Sequence, residues 1–207
     1  MSTGFPSGDF LILSLGSSRV LDVTNCETDD GTDIVLFVCK ERSLNADSRN
    51  PWNDNQVFFI DGQGNLASKQ SKHPIDVEED RIVLRHRNDG VSLPAFHYSA
   101  ATSEITIHTA PDPESDTDSY VLSYIPKYNP RITLPNGYSI FLPPNGSFAD
   151  ITEEGGEDGE SSTQGNLDTE LDDSLEWIRQ VQVVEYVEPA SEKERNRRMW
   201  ALLPIAD

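Results

Sequence analysis

Cysteine, cationic side chains and long apolar runs are all scarce in this chain of 207 residues. Of its two cysteines, Cys26 and Cys39, neither lies in a CxxC pair or a nucleophile motif. Catalysis by cysteine is therefore not expected, and the two, which could pair in principle, are expected as free thiols without a secretory signal. Lys and Arg number 16 against 36 Asp and Glu, a formal net charge of -20. That balance argues against nucleic acid or an anionic membrane as partner, since both need clustered cations. No apolar stretch approaches the roughly 20 residues of a membrane-spanning helix. A Gly-rich phosphate loop, a nucleophile elbow and an HExxH pair are missing too. Residues 1–9 are polar and the FLILSL run is too short for a secretory core. A cytoplasmic chain with two free thiols is expected.

Helical periodicity is almost absent; what is present is a series of short apolar runs between Gly, Asn, Asp and Pro. FLILSL, RVLDV, DIVLFV, QVFFID, RIVLRH, EITIHT, YVLSYIP and VQVVEYV have the length and spacing of an all-β barrel or sandwich. Residues 168–179 are the one stretch read as a short helix, with an acidic first turn suited to the helix dipole. The runs also repeat. Leu21-Asp22-Val23 returns as Ile75-Asp76-Val77, and each is followed by a polar turn and a second apolar run. An aromatic strand closes each unit, Gln56-Val57-Phe58 in the first and Ala95-Phe96-His97-Tyr98 in the second. A third, more ragged unit starts at Glu104 and closes on Arg198-Met199-Trp200.

Three units of about four strands are the arithmetic of a β-trefoil, whose barrel closure removes exposed sheet edges. The lobes fall at about 8–61, 62–102 and 103–207 of a single domain. The third lobe carries an insertion at about 127–176. Its first half reads as a hairpin around Asn136-Gly137. Its second half, about 150–174, is acidic and too poor in apolar residues to order itself, so a flexible loop is expected.

The order Val20-Leu21-Asp22-Val23, Asp30-Gly31-Thr32, Ile34-Val35-Leu36-Phe37, Asn55-Gln56-Val57-Phe58 resembles one lobe of the ricin-B-type (R-type) lectins. The resemblance implies a non-enzymatic, carbohydrate-binding β-trefoil of the unsecreted fungal kind, with galactose or GalNAc-type glycans as ligand. It also implies the site residues. Asp22 would accept hydrogen bonds from sugar hydroxyls, Phe37 would stack on the pyranose, and Asn55 and Gln56 would complete the polar set. Trp52, just upstream, is an additional stacking candidate. The other lobes depart from the pattern. In the second, Asp76 is kept, but Arg85 stands for the aromatic and Leu93-Pro94 for Asn-Gln. In the third, Tyr186 stands for the aromatic and Arg197-Arg198 for Asn-Gln.

One sugar site, in the first lobe, is therefore the leading expectation. A bland role for Asp22 stays open beside it, because such an Asp also ties down the following turn. The alternative function is a protein-interaction trefoil, of protease-inhibitor or scaffold type, working through its long connections. The four histidines lie one per strand-like segment without metal-ligand spacing, so no metal, cofactor or catalytic residue is expected.

Overall fold

The computed structural model describes residues 3–87, 92–109, 119–125, 131–133, 139–141 and 178–206. The chain divides into two compact units, Met1–Pro126 with Trp177–Asp207, and Lys127–Glu176. In chain order the first unit starts with β1 (Phe10–Ser14), β2 (Arg19–Val23), β3 (Ile34–Phe37) and β4 (Phe58–Ile60). It continues with β5 (Leu66–Ser68), β6 (Ile75–Glu78), β7 (Arg81–Leu84) and β8 (Ala95–Ser99). After β9 (Glu104–His108) and β10 (Tyr120–Tyr124) come β11 (Arg131–Thr133) and β12 (Ser139–Phe141) of the second unit. β13 (Ile178–Glu185), a short helix α1 (Glu192–Arg197) and β14 (Trp200–Pro204) return to the first unit.

The pairing repeats itself around the first unit. β2–β3, β6–β7 and β10–β13 are antiparallel hairpins. β4–β5, β8–β9 and β14–β1 join one quartet of strands to the next. The last of these pairs the final strand with the first, Phe10 opposite Pro204 through Ser14 opposite Trp200, and so closes the barrel. Strand quartets joined in a ring, each with a capping hairpin, are the connectivity of a β-trefoil.

The core follows from period-two alternation along each strand. Leu21 and Val23 of β2 and Ile34 and Leu36 of β3 point inward and belong to one buried cluster. Ile75, Ile82 and Leu84 of the second hairpin join it, as do Leu122, Val181 and Val183 of the third. Each closing strand adds one large ring to the cluster: Phe58, Phe96 and Trp200 are all buried.

The structure departs from the sequence reading at 168–179. Ile178 and Arg179 lie in β13, opposite Phe37 and Leu36 of β3. Pairing between strands from distant parts of the chain overrides a weak local helix preference there. Residues 168–177 lie outside the described residues. The short helix is instead at Glu192–Arg197, where the Ser191 side chain accepts from the Glu194 backbone N–H. In the second unit β11 pairs antiparallel with β12, Ile132 opposite Ile140. The Asn136-Gly137 turn and the acidic stretch 150–174 lie outside the described residues.

Candidate functional site

Asp22 owes its placement to the same alternation that builds the core. Opposite residues of a hairpin share a face, and Asp22 pairs with Val35 while Val20 pairs with Phe37. Asp22 and Phe37 therefore stand together on the outer face of the first hairpin, with Leu21 and Leu36 on the inner one. Yet Asp22 is only 3% exposed, because the chain beyond β3 folds back over it.

Residues 38–55 make that cover, and the loop is tied down along its length. Leu44 and Ala46 exchange backbone hydrogen bonds with Ala206 near the C-terminus. The Asn50 side chain caps the 3-10 segment Pro51–Gln56 by accepting from the Trp52 N–H. Arg49 bridges Glu41 at 3.3 Å and Asp54 at 3.0 Å, stapling the loop's start to its end. The segment's last two residues, Asn55 and Gln56, are buried. Asn55 Nδ2 donates to Asp22 Oδ1 at 2.8 Å and to the Val23 carbonyl at 3.1 Å. Gln56 Nε2 donates to Asp22 Oδ2 at 2.8 Å and to the Val38 carbonyl at 3.0 Å. Gln56 Oε1 in turn accepts from the Lys40 backbone N–H at 2.9 Å. A carboxylate fixed by two amides and flanked by an aromatic ring can accept hydroxyl donors in one defined orientation.

All four residues expected at the site thus meet on one hairpin face. Trp52 stands apart from the buried set: it is 87% exposed, on the segment that ends in Asn55 and Gln56. Lys40 joins the set. Its ammonium lies 2.9 Å from Asp22 Oδ2 and 4.8 Å from the centre of the Phe37 ring. Nothing in the linear pattern marks Lys40, because the fold-back of the loop alone brings it to Asp22.

The other hairpins carry the same outer position with different neighbours. Asp76 lies opposite Val83, and Arg85 takes it up at 2.9 Å while also reaching Asp30 and Glu78. Those carboxylates, Asp76 foremost, raise the pKa of Arg85 well above its ordinary value. In the third hairpin Ser123, opposite Gln182, holds the position. There Arg198, at the place of Gln56, donates to the Val187 carbonyl at 2.6 Å, as Gln56 donates to Val38. Arg198 also pairs with Glu194. A cavity of about 560 Å³ opens beside Ser123, Gln182 and Arg197.

The histidines, scattered in the sequence, come together as two ring pairs. His73 and His86 lie 4.3 Å apart between centroids, His97 and His108 5.3 Å apart. No cluster of three or more potential metal ligands occurs among the described residues. Burial, and then the neighbouring imidazole, lowers the pKa of His73 and of His97 below the ordinary 6.5. A lowered pKa means that the unfolded chain binds more protons than the folded one, so stability rises with pH through this range. The penalty is absent well above 6.5 and grows as pH falls through that value. The urea midpoint should therefore drop between pH 7.5 and 5.5, and drop less in a His73→Gln, His97→Gln double variant. Equal slopes would show that the imidazole pairs carry no linkage.

Cys26 and Cys39 are free and exposed. No protein-family model matches this sequence, and no curated protein matches it. Solved structures do. The mdaA-1 domain, known from a solution structure, superposes with a TM-score of 0.52 at 17% identity over 99% of this chain and 94% of that one. The C-half of an earthworm R-type lectin, in complex with GalNAc, gives 0.49 at 15% identity over 96% and 98%. The Rhizoctonia solani agglutinin gives 0.45 at 14% identity over 99% and 98%. At 17% identity the likeness to the mdaA-1 domain is one of fold.

Proposed function

We propose that the chain is a non-enzymatic lectin that binds one sugar in its first lobe. Asp22 accepts from two sugar hydroxyls, Asn55 and Gln56 hold its carboxylate in place, and Phe37 supports the apolar face of the ring. The observation that carries this reading is the buried Asp22 carboxylate, oriented by two amides beside an aromatic side chain. Trp52 offers a second ring to a glycan longer than one residue, since an exposed indole has much apolar surface to cover. Galactose and GalNAc-type glycans are the proposed class, and the cytoplasm the proposed location.

The test is a glycan array followed by titration of the wild-type chain with galactose and N-acetylgalactosamine. Saturable binding at one site per chain is expected. A folded chain that binds no glycan class would end this reading. The exposed side chains of Val38, Leu44 and Trp52 favour the second reading, a protein-docking surface on the loop at 38–55. A partner captured by the chain and retained by an Asp22→Ala variant would point there instead.

A further inference from the structure

We propose that Lys40 gates the first-lobe site, its side chain occupying the seat of a neutral sugar and swinging out when the sugar binds. The inference rests on the reading of that site as a sugar site. It starts from the acceptors of Asp22. A carboxylate offers about four lone-pair positions. Asn55 takes one on Oδ1, and Gln56 and Lys40 take two on Oδ2. One acceptor position is left, too few for two hydroxyls. The same ammonium lies over the Phe37 ring, so both halves of the site, the polar and the apolar, are covered by one side chain.

The cover is built to move. The Lys40 backbone is anchored by its N–H to Gln56 Oε1, so the main chain stays while four side-chain torsions are free to turn. Lys40 remains 33% exposed beside its buried partner, and its ammonium is rehydrated as soon as it leaves. Only the lysine end of this pair meets solvent, which makes the pair weaker than a wholly buried one and leaves it partly open to screening by salt. The second lobe shows the contrast. There Arg85, with its planar fork, ties Asp76, Asp30 and Glu78 together, and Pro94 stands where an amide would be needed. That position is held by one arginine shared among three carboxylates, whereas the seat in the first lobe is filled by one flexible side chain, its ammonium on Asp22 and over the Phe37 ring. Removing Lys40 leaves the Asn55 and Gln56 contacts to Asp22 intact, so the site keeps its shape.

The experiment compares the wild-type chain with Lys40→Met and Lys40→Gln by calorimetric titration with galactose, N-acetylgalactosamine and the best neutral glycan from an array. Each titration is run at low and at high sodium chloride. Both variants should bind about tenfold tighter than wild type, as when a largely closed site is held open. Added salt should tighten binding by the wild type and leave the variants unchanged. Wild-type binding that the variants match or fall below would overturn the gate while leaving the lectin reading in place, because Lys40 would then be a bystander or a ligand contact. Failure of all three proteins to bind any glycan would overturn the lectin reading and the gate together.

Discussion

Trp200→Ala is expected to destabilise the protein by about 3–5 kcal/mol, the usual cost of deleting a large aromatic side chain from a packed core. The indole is fully buried, and its Nε1–H donates to the Leu122 carbonyl at 3.1 Å. Its backbone N–H donates to the Ser103 carbonyl at 2.7 Å. It sits opposite Ser14 in the strand pair that closes the barrel. Alanine there opens a cavity where the third lobe meets the first, and leaves the Leu122 carbonyl without that donor. A fall of about 10 °C in Tm follows for a domain of this size, readable by circular dichroism. Trp200→Phe, which copies Phe58 and Phe96 of the other lobes, should cost about 1–2 kcal/mol. Equal losses for the two variants would show that the ring's volume is not what the core uses.

Asp22→Ala is expected to abolish glycan binding, a loss of about a hundredfold or more, since it removes two charge-assisted hydrogen bonds from the ligand. The same change should destabilise the fold by about 1–3 kcal/mol. Asn55 and Gln56 each lose one buried acceptor but keep another, the Val23 and Val38 carbonyls, which limits the damage. Titration of a variant checked for fold by circular dichroism separates the two effects. Binding preserved within a factor of about three would remove Asp22 from the ligand contacts and leave it as a structural acid alone. The stability loss is expected in either case, because the geometry of Asp22 as an anchor for the loop at 38–55 does not depend on a sugar.

The elements of this fold differ in how plainly the sequence marks them. Residues 19–37 announce themselves: alternating apolar residues, a polar turn and a second apolar run make a hairpin whatever lies around it. The echo of Leu21-Asp22-Val23 in Ile75-Asp76-Val77 exposes the repeat, and the repeat points to the ring of lobes. The third unit is harder to read because an insertion separates β10 from β13, so the partner strands are far apart in the chain. Ile178 and Arg179 carry a helix-like local pattern for the same reason, as their partner β3 lies well over a hundred residues away in sequence.

The four residues of the candidate site were legible as a motif, and the outward direction of Asp22 follows from period two. Its burial does not. That depends on the loop at 38–55 folding back, on Arg49 clamping Glu41 to Asp54, and on Ala206 pairing with Leu44 and Ala46. These are long-range contacts with no periodic trace. Lys40 over Asp22, Arg198 in the role of Gln56, and the two histidine pairs have the same origin. The sequence by itself determined the strand pattern, the acidic balance and which residue types stand on the outer face of each hairpin, because these depend on local alternation and composition. Only the tertiary structure decided which of those outer faces are covered, and by what, because a side chain on a loop reaches its partner through the path of the backbone and not through its place in the chain.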